Sequence, residues 1–167
     1  MNILIADNKQ AVITAAEECN PSFEIELGNP LAFDIDAVVS PANTMGIMNG
    51  GYDAVLRRYF GVTIEVRVRQ YIEKFPISVG EAIAVMTGHE KVKFLIVTPT
   101  VSVNNDGLSG HKSVAYSCAY SSVISAYERG VSYLGMTGLG TGVGGLSVRE
   151  AVREQVRGIE DALSEIS

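Results

Sequence analysis

Cysteine is scarce in this 167-residue sequence: Cys19 and Cys118 are the only two, in neither a Cys-x-x-Cys pair nor a Cys/His cluster. That spacing supports neither a disulfide framework nor a zinc site, and two buried free thiols are the expectation. Histidine is equally sparse. His89 sits in the turn-like Thr-Gly-His-Glu and His111 near a predicted helix start, neither with a carboxylate or cysteine partner in sequence. No Ser/His/Asp or Cys/His arrangement can be argued from such spacing, no metal cluster is suggested, and no cofactor is expected. Basic residues are in deficit, 13 Lys and Arg against 19 Asp and Glu, giving a net charge of −6 and a pI near 4.9. Extended nucleic-acid contact needs a basic face, so a single nucleotide suits this chain better than a duplex. No apolar run approaches the roughly 18 residues of a membrane span. The start, Met-Asn-Ile-Leu-Ile-Ala-Asp, lacks a basic segment and reaches an acid at residue 7. Together these absences predict a cytoplasmic protein without membrane association. Repeats and linkers are absent too, and 47% hydrophobic content in 167 residues suits one domain with a sizeable core, over 1–167. Nothing in the composition specifies the oligomeric state.

Glycine, by contrast, is concentrated in two stretches. Residues 132–147 begin as an apolar run, pass through Gly138, Gly140, Gly142, Gly144 and Gly145, and enter a helix that Ser147 can cap. A strand, a glycine loop and a helix in that order let the backbone approach a ligand and aim helical N–H groups at it, which suits an anion such as phosphate. Gly140-Thr-Gly-Val-Gly-Gly145 fits the dinucleotide fingerprint G-x-G-x-x-G. Its position argues against that fold, which needs a second strand and an acid about 20 residues later. Only 22 residues follow Gly145, all helical in pattern, and no Lys-Ser/Thr follows to make a P-loop. A phosphate cradle of another fold and a ligand-free tight turn both fit the motif.

The second stretch is Pro41-Ala-Asn-Thr-Met-Gly-Ile-Met-Asn-Gly-Gly-Tyr-Asp53, leading into a helix over 54–60. Taken singly, Asn43 reads as a turn former, Asp53 as an acid complementing a helix dipole, and Arg57 and Arg58 as a solvated face. Around these loops the hydrophobic pattern predicts strands at 2–6, 23–27, 36–40, 81–86, 93–98 and 132–137, with Pro41 and Pro99 ending two of them. Helices are predicted at 9–18, through 62–75 despite the alternation of Val62 to Val68, from His111 to Glu128 with Tyr127 on the inner face, and from Ser147, whose Ser-x-x-Glu150 is a capping box. Residues 99–110 read as a long polar connection. Alternating strands and helices imply a three-layer α/β domain in which both glycine loops open at one edge of the sheet.

Taken together, Asp36-Ala-Val-Val-Ser-Pro-Ala-Asn43, Gly50-Gly-Tyr-Asp53 and Gly140-Thr-Gly-Val-Gly-Gly145 before a final helix resemble the macrodomain family, in a bacterial and phage-type branch with an additional first strand and helix. The resemblance implies a three-layer α/β/α fold with a mixed central sheet that binds ADP-ribose or a related nucleotide, free or on a modified macromolecule. By position, Asn43 matches the family's asparagine facing the distal ribose, and Asp53 the acid that orients water in hydrolytic members. Asn49, Gly50, Gly51 and Tyr52 fall on the first phosphate loop, and Gly140, Thr141, Gly142, Val143, Gly144 and Gly145 on the second. The chain departs from the family at three positions. Asn29 stands where an Asp commonly contacts the adenine amino group, Asn49 where hydrolytic members carry glycine, and Gly144 where many members carry an aromatic. Binding of ADP-ribose is the leading expectation; mono-ADP-ribosyl hydrolysis through Asn43 and Asp53 is the alternative, and a macrodomain-like, phage-related accessory protein without nucleotide function is the third.

Overall fold

The computed structural model describes residues 1–141 and 145–167. Its centre is a six-stranded mixed sheet in the order β2-β1-β6-β3-β5-β4. The strands are β1 (Asn2–Asp7), β2 (Glu24–Leu27), β3 (Ala37–Asn43), β4 (Ile83–Met86), β5 (Phe94–Val101) and β6 (Tyr133–Met136). All neighbours are parallel except β4, which runs antiparallel to β5. The helices are α1 (Gln10–Glu18), α2 (Gly51–Phe60), α3 (Val62–Lys74), α4 (Val114–Glu128) and α5 (Val148–Ile166).

Pleating sorts each strand's side chains between two cores. Ile3, Ile5, Ala37, Val39 and Ile96 face α1, α4 and α5, whereas Leu4, Ala6, Val38, Leu95 and Val97 face α2 and α3. Burial on both faces is why the central strands read as continuous apolar runs. The conflict over 62–68 resolves to helix because Ile64, Val68 and Ile72 form one buried stripe, a 3.6-residue period that alternation cannot satisfy. Helices α4 and α5 cross so closely that a Cβ on Gly158 would collide with the Tyr116 carbonyl oxygen.

Several boundaries move. Neither proline ends its strand: β3 continues through Pro41 to Asn43, and β5 through Pro99 to Val101. Proline cannot donate to a ladder, and each lies where one neighbour has already stopped. Strand β6 pairs with β3 only at Ala37 and Val38, and β4 reaches β5 only from Phe94 to Val97. Helix α4 opens at Val114, not at His111, whose ring Nδ1 instead accepts the Ser113 N–H in a turn. Tyr127 is exposed, and Cys118 and Ser122 take the inner face beside Ala115, Ala119, Val123 and Ala126. Of the two thiols, Cys118 is buried and Cys19 half-buried. No helix among the described residues is long and apolar enough to cross a membrane.

Candidate functional site

Strands β1, β6 and β3 are parallel neighbours, so their C-terminal ends share one edge, and a cleft of about 360 Å³ opens there. A cleft of this size matches a small-ligand site. One wall comes from the start of α2, through Gly51, Tyr52 and Val55, with Asn29 beside them. The other comes from the chain after β6, through Thr137, Gly138 and Thr141. Asp7, at the end of β1, and Lys9 close the floor between them.

The first wall presents an open helix end. Gly50 is the N-cap of α2. Among the described residues no side chain accepts a hydrogen bond from the first-turn N–H groups, where the helix dipole is positive. Gly51 takes φ +56°, and a Cβ added there would meet nothing within 4 Å. The loop before it is drawn tight by Asn43, whose Oδ1 accepts the N–H groups of Met45 and Ile47 at 3.0 and 3.2 Å and whose Nδ2 donates to the Ile47 carbonyl at 2.9 Å.

The second wall is held from both sides. Gly138 N–H donates to Asp7 Oδ2 at 3.0 Å, while Asp7 Oδ1 accepts the Lys9 N–H at 2.9 Å. From beneath, the buried Gln155 of α5 accepts the Leu139 N–H and donates to the Thr137 carbonyl, both at 2.8 Å. Helix α5 closes its own N-terminus: Ser147 Oγ accepts the Glu150 N–H at 3.1 Å and Glu150 Oε1 accepts the Ser147 N–H at 3.2 Å.

Asn29 serves the first wall as a scaffold. Its Oδ1 accepts the Leu31 N–H at 3.0 Å and the Tyr52 hydroxyl at 2.6 Å. Burial, with the nearby Asp7 charge, pushes the Tyr52 phenol far above its usual range and keeps it a donor. Asp53 is not among the residues lining the cleft. It is 4% exposed and accepts a hydrogen bond from Ser40 Oγ at 2.6 Å. Burial pushes its carboxyl up to about 6, the Ser40 bond opposing and Glu65 adding to the rise. Glu65 in turn accepts the Met48 N–H at 2.6 Å and lies 3.4 Å from Arg57 Nε, so Arg57 links α2 to α3 while Arg58 is exposed.

Of the residues singled out in the sequence, Asn29, Gly51, Tyr52 and Thr141 line the cleft. Gly50 sits at the adjoining helix cap, and Gly140 follows the Gly138 turn with its Cα facing Ala115 of α4. Asn49 and Gly145 are exposed, and Asn43 and Asp53 are not among the residues lining the cleft, Asn43 being bonded to its own loop and Asp53 to Ser40. Gly142, Val143 and Gly144 lie outside the described residues. The sequence reading missed Asp7, Lys9 and Gln155. An acid ending the first buried strand, and a glutamine inside the apolar stripe of α5, were the signals that could have found two of them. Among the described residues no group of three or more His, Cys, Asp or Glu is gathered to hold a metal.

A doubly covered, mostly parallel sheet with a nucleotide-sized cleft at its strand ends defines a class of ligand-holding α/β proteins. Comparison with known proteins gives the family: the Macro domain model matches residues 39–154, and the chain belongs to that family. An uncharacterized protein of Aeropyrum pernix is 35% identical over 130 residues, covering 78% of this chain and 66% of that protein. The chain thus spans slightly under two thirds of that relative's length. Among solved structures, the macrodomain of Mycobacterium tuberculosis DarG superposes with a TM-score of 0.66 at 20% identity, covering 80% of this chain and 87% of the other. The Trypanosoma brucei macrodomain in complex with ADP-ribose superposes with a TM-score of 0.64 at 19% identity, covering 98% and 58%.

Proposed function

We propose that the cleft binds ADP-ribose or a related ADP-ribosyl nucleotide, with the pyrophosphate against the open N-terminus of α2 and the turn at Gly140 and Thr141. The observation that carries this reading is the uncapped helix end at Gly50 and Gly51, opening into a cleft that Lys9 also lines. Free N–H donors, a positive dipole end and an ammonium group together suit an anion. Asp7 and the Asn29 amide offer polar contacts for base or ribose. The family assignment supports the same ligand class, as does the ADP-ribose complex of the Trypanosoma brucei macrodomain.

Ribosyl hydrolysis through Asn43 and Asp53 is the second reading. One observation favours it: a carboxyl pushed up to about 6 lies in the range useful for proton transfer near neutral pH. Against it, Asp53 is 4% exposed, is engaged by Ser40 and takes no part in the cleft wall. Binding without turnover is the better-supported function.

Calorimetric titration with ADP-ribose, using AMP and NAD as comparators, tests the proposal. Binding in the roughly micromolar range is expected, with ADP-ribose the tightest of the three. Absence of heat with all three ligands would leave a family member without nucleotide function, as a phage-related accessory protein would be. Turnover of an ADP-ribosylated substrate by the wild type, lost in Asp53→Ala with binding retained, would replace the binding reading with the hydrolase.

A further inference from the structure

The two edges of the sheet are chemically complementary. At one edge β2 reads Glu24-Ile-Glu-Leu27, and both glutamates and Leu27 are exposed, Leu27 at 56%. At the other edge, a broad groove of about 780 Å³ runs across β4 between α3 and the end of α4. Its cations are Arg67 and Lys74 of α3 and Arg129 beyond α4; its apolar floor includes Tyr71 and Met86, the latter 65% exposed. Among the described residues no carboxylate lines this groove, although the chain carries a net charge of −6.

The register decides which side chains would meet if the sheet continued from one copy into the next. Glu24 and Glu26 pair with Leu4 and Ala6, so they lie on the face covered by α2 and α3, while Ile25 and Leu27 lie on the opposite face. At the far edge Val85 faces the α3 side with Leu95, and Met86 pairs with Phe94, which packs into the α4 core. In the unflipped continuation, β2 of a second copy runs antiparallel to β4 and keeps its faces. Its two glutamates then fall on the side of Arg67 and Lys74, and its exposed Leu27 on the side of exposed Met86. Charge and apolar surface are matched in the same orientation.

We propose that this chain associates head to tail with itself, β2 of one copy adding to β4 of the next. Strand addition supplies main-chain hydrogen bonds, and the cations and Met86 select an acidic, alternating strand over a neutral or basic one. Such an interface is heterologous, so unless the turn per subunit closes a ring it leaves free ends and grows with concentration. Arg67 Nη1 already donates to the Met86 carbonyl at 3.1 Å. That bond competes with an incoming strand and keeps the association reversible. Exposed ion pairs are screened, so salt weakens it.

Sedimentation velocity across a wide concentration range tests this on the wild type and two surface variants, Glu24→Lys/Glu26→Lys and Arg67→Glu/Lys74→Glu. Circular dichroism first establishes that both variants fold. The wild type is expected to gain mass with concentration and lose it at high salt. Each variant alone should associate about 10- to 100-fold more weakly. Mixed together, the intact groove of one variant takes the intact strand of the other, and the reversed strand matches the reversed groove in charge, so the mixture should regain association that grows with concentration. The proposal is overturned by a wild type that stays monomeric, by association indifferent to salt or to either variant, or by a mixture that regains no association.

Discussion

The two glycine stretches read alike in the sequence, each leaving a strand and entering a helix, yet they end in helix starts of opposite kinds. Helix α5 satisfies its first turn through the Ser147 and Glu150 capping box. Helix α2 has Gly50 at its cap, no side-chain acceptor among the described residues, and an exposed Gly51 on the cleft wall. A glycine loop is thus not in itself an anion site. What matters is whether the donors at its end are already satisfied by the chain. Here the open end belongs to the first stretch, while the second is stabilised by its own residues and by Asp7 and Gln155 beneath it.

Placing a carboxylate at the open end should break this contrast most strongly. Gly51→Asp sets a negative charge at the first turn of α2, where aspartate tolerates the positive φ better than most residues and favours the helix dipole. Calorimetry should report ADP-ribose affinity reduced by about 100-fold, on the order of 3 kcal/mol. Its melting temperature should stay close to that of the wild type.

On the same helix, Asp53 sharpens the contrast through pH. Its folded pKa, about 6, exceeds its ordinary value of 3.8, so the folded state holds the proton longer than the unfolded one. Asp53 therefore makes its most favourable contribution below pH 4, and stability is lost as pH rises through the window from about 4 to about 6. Replacing it with asparagine should flatten the denaturation free energy across that window and raise stability at neutral pH by up to about 3 kcal/mol. Urea titrations at a series of pH values measure both effects.

The capped helix should respond in the opposite sense to the open one. Ser147→Ala removes an N-cap and should cost about 1 kcal/mol of stability in chemical denaturation, with ADP-ribose affinity unchanged. The smallest effect is expected at Tyr52→Phe, which removes the hydroxyl donated to Asn29 Oδ1. A loss of about 0.5 to 1 kcal/mol is expected there, read as an affinity reduced severalfold by a slightly displaced wall.

The fold was legible wherever periodicity is local. Apolar runs located the central strands, the capping box located the start of α5, and the stripe of Ile64, Val68 and Ile72 governed α3 despite its misleading alternation. The misjudged strand ends depended on neighbours distant in sequence. Whether Pro41 or Pro99 ends a strand depends on where β6 or β4 stops, which no local pattern encodes. The cleft shows the same limit. Its glycine walls were visible as motifs, but Asp7 enters it through a hydrogen bond to Gly138 across 131 residues of sequence. Burial of Asp53 is likewise a property of packing, since the same Gly-Gly-Tyr-Asp spacing would serve an exposed helix-start acid equally well.

A nitrogen–proton correlation titration with ADP-ribose would compare the two helix ends in one experiment. The amides of Gly51, Tyr52 and Asp53 should move progressively with ligand, while those of Val148, Arg149 and Glu150 should stay in place. Shifts confined to the start of α5, or no shift at the start of α2 under saturating ligand, would contradict the assignment of the open helix end as the anion site.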